Sequence, residues 1–313
     1  MHPVSEDAPG GPWSSDPTLT VDRVHVIESL PPDEQTWSLR TGARLAEELH
    51  DVLASTPEVP HLHVVRTSVE LHAVLRGLVA EAEGGHFPLL HFETHGAERP
   101  PGRITTSVGL VLGSGEVFAW RQLAPYLTAI NEATRLRLVV FMSACYGADV
   151  ATLIQPLKRA PARVLLGPMR PITVGEIDKA TVVFYRTLFR ERNGIAAWEA
   201  MNAALQPGRD TFYAFTAEQM FLDILVSYFN ELTTEPQIAA RVEGMLAPLA
   251  LAGVSPAELA GRRIAMRARM RDRKGIFDES YRTFFFVDKY PEIADRFRMT
   301  YESCFQEATS GRV

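Results

Sequence analysis

The strongest constraint on the fold is the alternation of short apolar runs with amphipathic helical patterns along the first two thirds of the chain. The apolar runs are rich in valine, leucine and phenylalanine, as is typical of strands buried on both faces. They span residues 21–27, 61–65, 87–94, 136–143 and 162–167. Apolar residues recur at helical spacing over residues 41–53, 69–82, 120–130, 149–158, 176–190 and 195–205. This alternation predicts βαβ units, and therefore a doubly wound, mostly parallel α/β sheet sandwiched by helices.

Further patterns divide the chain into regions. Gly113-Ser114-Gly115 separates two short apolar stretches and predicts a β-hairpin before residues 120–130. After Pro207 the patterns over residues 212–232, 237–251 and 257–273 are helical, and only residues 284–287 give a doubtful strand signal. The sequence therefore predicts a disordered tail over residues 1–20, an α/β domain over 21–206 and a helical subdomain over 207–313.

Two of the predicted strands lead into reactive side chains. Residues 87–94 are followed by His95-Gly96, and residues 136–143 are followed by Ala144-Cys145-Tyr146-Gly147. In open parallel sheets, ligands bind at the carboxyl ends of the strands. A base and a thiol at the ends of neighbouring strands form a Cys-His dyad. We therefore expect His95 to act as general acid and base, and Cys145 to act as nucleophile.

The surroundings of Cys145 fit acyl transfer. A thiol must lose its proton before it attacks a carbonyl, and an imidazole can take that proton and later return one to the leaving amine. A helix after the cysteine, expected at residues 149–158, would lower the pKa of the thiol. The developing oxyanion needs N–H donors, and the backbone amides of Gly96 and Cys145 are the candidates.

Together, the two motifs resemble those of caspase-like cysteine proteases. His95 and Cys145 are 50 positions apart, and caspases place their histidine about 50 residues before a Gln-Ala-Cys-x-Gly motif. Ala144, Cys145 and Gly147 match that motif, and Ser143 replaces its glutamine. The chain also resembles bacterial CHAT-type proteases of the wider separase–caspase clan, which have an apolar strand ending in His-Gly, a hairpin and a strand ending in Ser-Ala-Cys. This resemblance covers residues 21–205 and implies a caspase-like fold.

The resemblance also implies an activity, that of a cysteine endopeptidase. It would cleave protein substrates through a thioester acyl-enzyme, in a regulated bacterial defence or cell-death pathway. In the caspase motif the glutamine helps to line the pocket for the residue before the scissile bond. Ser143 is the pocket candidate at that position, and because it is neutral it leaves the cleavage preference open.

Other polar residues near the motifs have two interpretations each. Asp149 is a second pocket candidate, although a helix cap is the commoner role for such a residue. Arg170 and Glu176 come after it as pocket candidates. Glu93 shares a strand face with His95 and is a candidate to orient its imidazole, although an acid paired elsewhere is the commoner explanation.

Composition excludes several classes of function. The chain has 313 residues, 46% of them hydrophobic and 22% charged, and its formal net charge of −6 disfavours general nucleic-acid binding. Two cysteines, Cys145 and Cys304, provide no disulfide framework and favour a reducing cytoplasm. No secretory signal pattern and no membrane-spanning apolar stretch is present in the sequence.

No cofactor or metal is expected. His91 and His95 are four residues apart on a predicted strand, which separates them by about 13 Å and excludes a shared metal ion. The sequence also has no phosphate-binding loop of P-loop spacing.

Residues 262–274 form a strongly basic segment in a chain that is acidic overall. It is either a solvated helix face paired with nearby acids or a docking surface for a regulatory partner or RNA. Three alternatives to a peptidase also stay open. They are a catalytically inactive interaction module, an acyl transferase of the same chemistry and a nucleic-acid-dependent regulator.

Overall fold

The computed structural model describes residues 20–34, 36, 38–54, 56–98, 107–153, 158–205 and 211–305. The predicted disordered tail lies outside these ranges, apart from residue 20. The strands are β1 Arg23–Ser29, β2 Val59–Val64, β3 Pro88–Glu98, β4 Ser107–Val111, β5 Val117–Ala119, β6 Val139–Ser143, β7 Val164–Pro168 and β8 Phe212–Thr216. The helices are α1 Thr41–Leu53, α2 Ser68–Glu83, α3 Trp120–Ala133, α4 Val174–Glu191, α5 Gly194–Leu205, α6 Ala217–Ser227, α7 Glu235–Leu251, α8 Pro256–Arg271, α9 Arg273–Phe284 and α10 Tyr301–Phe305. Short 3-10 segments cover Pro32–Glu34, Gly147–Leu153 and Pro291–Asp295, and a π-helical turn covers Tyr228–Leu232.

The described strands form a single sheet in the order β2-β1-β3-β6-β7-β8. Strands β2, β1, β3, β6 and β7 are parallel neighbours, whereas β8 is antiparallel to β7. The predicted hairpin is β4–β5, and β4 pairs with the end of β3. The chain runs outward from β1 to β2 and then returns past β1 to β3, so the winding direction reverses between β1 and β3. The predicted doubly wound, mostly parallel α/β sheet is therefore confirmed.

Helices cover both faces of this sheet. On one face α1, α4 and α5 pack on the strands, and the largest buried rings there belong to Phe141, Phe184, Tyr185 and Phe212. Burying each such ring stabilises the fold by about 2 kcal/mol. On the other face lies α2, whose Glu81 accepts a hydrogen bond from β1 and which packs against α3. The central strands β3, β6 and β7 are therefore largely buried, whereas side chains of the edge strand β2 are exposed.

The chain divides into two units, the first of residues 1–153 and 160–217 and the second of residues 154–159 and 218–313. The first contains the strands and helices α1 to α5. In the second unit the described residues form helices and turns, with α7 and α8 packed around Ile238, Val242 and Leu246. The predicted domain boundary after residue 206 stays a prediction, and β8 extends the sheet beyond it to Thr216.

Four local predictions are wrong. Residues 212–216 form β8 instead of the start of a helix, because Phe212 is buried in the sheet core. Residues 149–153 belong to a 3-10 segment instead of an α-helix, and residues 154–157 of that predicted helix lie outside the described ranges. The helix predicted over 257–273 is two helices that meet at Asp272, and residues 284–287 are the end of α9 and a turn. In the described part of the chain no helix is long and apolar enough to cross a bilayer.

Candidate active site

The sheet brings the two sequence motifs together. Glu93 of β3 is the register partner of Ser143 of β6, and His95 and Cys145 each follow two residues later. A Cβ built on Gly96 would overlap the carbonyl oxygen of Cys145, 3.0 Å from its carbonyl carbon and 3.5 Å from its amide nitrogen. The backbone at Gly96 therefore lies directly against that of Cys145.

Cys145 lies in a tight turn at the end of β6. The N–H of Gly147 donates to the carbonyl oxygen of Ala144 at 2.8 Å, which closes the turn around Cys145 and Tyr146. Tyr146 has a φ of 57°, in the left-handed region that non-glycine residues rarely adopt. Such backbone costs on the order of 1–3 kcal/mol and is concentrated at functional sites. Cys145, the predicted nucleophile, is half-buried at the centre of this turn.

The side chains of the dyad have defined partners. The imidazole of His95 is 46% exposed, and its Nε2 lies 2.9 Å from Oε2 of Glu34. The thiol of Cys145 donates to the carbonyl oxygen of Ile172 at 3.9 Å. Among the described residues no hydrogen bond joins His95 to the Cys145 thiol, and Nδ1 is the ring nitrogen of His95 that Glu34 does not contact. Catalytic hydrogen bonds often tighten only when substrate binds.

Glu34 is the site residue that sequence reasoning missed. It lies in the 3-10 segment Pro32–Glu34 directly after β1, and β1 is the neighbour of β3 in the sheet. The available signal was an acid following a strand that ends at the same edge as His95. That signal becomes informative only when the strand order is known.

Glu93 has other partners than the imidazole of His95. Its Oε1 accepts from the Thr41 hydroxyl at 2.6 Å, and its Oε2 accepts from Nε2 of His91 at 2.9 Å. Both oxygens are therefore occupied in the buried interior. The acid in contact with the imidazole of His95 is Glu34, whereas Glu93 is paired elsewhere.

Ser143 belongs to the same interior. Its Oγ lies 3.1 Å from Nε2 of His91, and Nδ1 of His91 lies 3.0 Å from the hydroxyl of Tyr185. Burial, together with the negative charge of Glu93, raises the pKa of Tyr185 well above its ordinary value. Thr41, His91, Glu93, Ser143 and Tyr185 are called the buried network below. Ser143 thus lies beneath the dyad and is buried, which is not the position of a residue that lines an open pocket.

Arg170, another pocket candidate, contacts the Cys145 turn through its backbone. Its carbonyl oxygen accepts from the N–H of Tyr146 at 3.4 Å. Its guanidinium donates to Glu176 at 2.6 Å, and this bond is the main reason why the pKa of Glu176 is lowered to about 2. Asp149 lies in the 3-10 segment, where its amide donates to the Tyr146 carbonyl oxygen at 2.9 Å.

The basic segment lies on α8 and the start of α9 in the second unit, and its side chains pair with acids. Arg263 donates to both carboxylate oxygens of Glu243 at 2.7 and 2.9 Å, and Arg271 does the same to Glu235 at 2.7 Å. Further pairs are Arg262 with Glu258, Arg269 with Glu279 and Lys274 with Asp278. These contacts belong to a solvated helix face, and the regulatory partner at residues 262–274 stays a prediction.

Metal binding has no support in the described residues, where no group of three or more histidine, cysteine, aspartate or glutamate side chains has the geometry of a metal site.

Comparisons with known proteins add a similarity of overall shape. No family model and no curated protein matches the chain. Among solved structures the chain is similar to a secreted C11 cysteine protease from Bacteroides thetaiotaomicron, in complex with an irreversible peptide inhibitor. The identity is 10% and the TM-score 0.41, over 68% of this chain and 70% of that chain. Values this low carry no argument about function, which has to come from the residues themselves.

Proposed function

We propose that the chain is a cysteine endopeptidase with a dyad of His95 and Cys145. The observation that carries the proposal is the close approach of Gly96 to the Cys145 turn, since only glycine permits it. This approach places the residue next to the histidine against the backbone of the cysteine. Support comes also from the exposed imidazole and from its bond to Glu34.

The proposed reaction begins with proton transfer from the Cys145 thiol to Nδ1 of His95. The thiolate attacks the carbonyl carbon of a peptide bond, and the oxyanion accepts hydrogen bonds from the amides of Gly96 and Cys145. The imidazolium, which Glu34 stabilises, then protonates the leaving amine. Water hydrolyses the thioester and restores the thiol. Glu34 is a positioning residue in this scheme, because it acts through His95.

The substrate and setting are part of the proposal. Proteins cut at an exposed loop would fit a dyad at the carboxyl edge of the sheet. The proposed cytoplasmic location has its support in the two free cysteines, which are typical of a reducing compartment. A role in bacterial defence or cell death has its support in the resemblance of the two motifs to caspase-like proteases alone.

A peptide library tests the proposal directly. Wild type and Cys304→Ala are expected to cleave members of the library, whereas Cys145→Ala and His95→Ala are expected to leave them intact. Equal products from wild type and Cys145→Ala would remove the peptidase proposal. The product masses separate hydrolysis from transfer of the acyl group to an amine, which is the transferase alternative.

Thiol labelling separates an enzyme from an inactive interaction module. A thiol-directed peptide inhibitor is expected to modify Cys145 much faster than Cys304 within the same molecule. Equal rates at the two cysteines would favour the inactive module. Salt-dependent RNA binding that is lost when residues 262–274 are neutralised would favour the nucleic-acid-dependent regulator.

A further inference from the structure

Glu93 is a carboxylate buried directly beneath the proposed dyad. It lies two residues before His95 on β3, and its register partner Ser143 lies two residues before Cys145. Two residues along a strand span about 7 Å, and they point to the same face. A charge at that distance acts on the dyad, although solvent at the half-exposed His95 screens much of it.

The hydrogen bonds of His91 and Glu93 indicate which of these two side chains carries a charge. The Tyr185 hydroxyl has Nδ1 of His91 as its acceptor, which leaves the ring proton on Nε2 to be donated to Glu93. A doubly protonated His91 would leave the buried Tyr185 hydroxyl without an acceptor among the described residues. A protonated Glu93 that donated to Nε2 would do the same. These hydrogen bonds fit a neutral His91 and a Glu93 carboxylate that accepts from Nε2 of His91 and from the Thr41 hydroxyl.

The neighbouring carboxylate on β1 is neutralised. Glu28 is the register partner of Glu93 and is also buried. Arg40 donates two hydrogen bonds to its Oε1, at 2.8 and 2.9 Å, and the N–H of Ala43 donates to its Oε2 at 2.9 Å. Glu28 therefore adds little net charge at the dyad.

Among the described residues, no arginine or lysine forms an ion pair with Glu93, whose ion-pair partner is His91. On β6 and α4, the hydroxyls of Ser143 and Tyr185 contact His91. Arg44 of α1 is paired with Asp178 of α4. On the solvent side Glu34 contacts His95 and adds a second negative charge, which is partly exposed.

We propose that Glu93 is an electrostatic positioning residue that sets the pH range in which the Cys145 thiolate and the His95 imidazolium coexist. The inference rests on the proposed function and deepens it. The dyad loses two protons as the pH rises, one when the ion pair forms and one when the imidazolium is deprotonated. A negative charge beneath the dyad favours the more protonated form at each of these steps. Both losses therefore occur at higher pH with Glu93 present than without it.

The test is the pH dependence of iodoacetamide alkylation at Cys145, with Cys304 as internal reference by mass spectrometry. Wild type is expected to show two steps, one as the ion pair forms and one as the imidazolium loses its proton. In Glu93→Gln both steps move to lower pH, by roughly half to one unit for a charge about 7 Å away. Glu93→Asp keeps the charge while it disturbs the same contacts, and it is expected to leave both steps in place.

Unchanged steps in a folded Glu93→Gln protein would overturn the inference. A wild-type profile with a single step, identical to that of His95→Gln, would instead count against the proposed dyad. If Glu93→Gln does not fold, the test is an NMR measurement on the wild type, with its glutamate side chains labelled with 13C at the carboxyl carbon. A carboxylate signal from Glu93 across the alkylation range, assigned with Glu93→Asp, supports the inference, and a neutral-acid signal overturns it.

Discussion

Single glycines control how closely the two motifs approach each other. Gly96 abuts the backbone of Cys145, and a Cβ on Gly147 would lie 2.7 Å from the Cβ of Met142. Neither position has room for a side chain, so the turn of Cys145 and the end of β3 can pack backbone to backbone. This arrangement is a property of two residues, and it places the proposed oxyanion donors beside the nucleophile.

Gly96→Ala is expected to abolish peptide cleavage. The added methyl group has to displace the Cys145 turn, at a cost of about 1–3 kcal/mol in unfolding free energy. Gly77→Ala is the matched control, since a Cβ at Gly77 meets nothing within 4 Å and helix α2 gains up to about 1 kcal/mol. Urea unfolding and a cleavage assay check both variants, and an active Gly96→Ala protein would contradict the assignment of this contact.

Glu34→Gln tests the orienting bond to His95. The amide keeps the shape but not the charge that stabilises the imidazolium, so kcat is expected to fall by about 100-fold with KM nearly unchanged. The acidic limb of the pH–rate profile should also move, which a loss of folding alone would not produce. Glu48→Gln, a change to another partly exposed acid on the surface, is expected to have no effect on kcat.

At the scale of elements, side-chain caps decide where helices begin and end. The helical pattern of residues 257–273 is continuous in sequence, yet α8 ends at Arg271 and α9 begins at Arg273. Asp272 causes the break, because its carboxylate accepts from the N–H of Gly275 at 2.9 Å and so caps α9. Apolar periodicity carries no signal for such a break, whereas the Asp-x-x-Gly spacing does.

Asp272→Ala is therefore expected to destabilise the second unit by about 1 kcal/mol, the usual cost of losing a helix cap. Asp272→Asn keeps an oxygen acceptor at the cap and should lose less. Urea unfolding followed by circular dichroism measures both. Equal losses for the two variants would show that the charge of Asp272 matters more than its capping bond.

At the scale of the whole molecule, a buried histidine couples stability to pH. The ring of His25 on β1 stacks on those of His61 and His63, with centroids 4.9 and 5.3 Å apart, and its Nε2 lies 3.2 Å from Glu81. Burial is the main cause that lowers the pKa of His25 from 6.5 to about 4, against the opposing attraction of Glu81. Because the unfolded state binds more protons between these two values, unfolding free energy falls as the pH falls through this window.

When the pH falls from 7.5 to 5, the titration of His25 is expected to lower the unfolding free energy by about 2 kcal/mol. His25→Phe keeps a stacked ring but cannot titrate, so its stability should depend less on pH over that range. Urea midpoints at the two pH values measure the difference, and His95→Gln, at an exposed position, is the control. An equal pH dependence in wild type and His25→Phe would contradict the assignment.

Glu176 does not affect this comparison. Its pKa is lowered to about 2, so its contribution to the unfolding free energy is lost only at pH below about 4.5.

Local patterns in the chain were sufficient for the doubly wound sheet and for most of its strands and helices. They placed Cys145 just after a strand, but His95 lies within β3, which continues to Glu98 and pairs with β4. They suffice because apolar periodicity and turn glycines act between near neighbours in sequence. The partners of individual side chains depended on the tertiary structure. Glu34, instead of Glu93, reaches His95 because β1 lies beside β3, and β8 joins the sheet because Phe212 finds a place in its core. Such pairings are set by strand order and register, which distant segments establish only when the chain has packed.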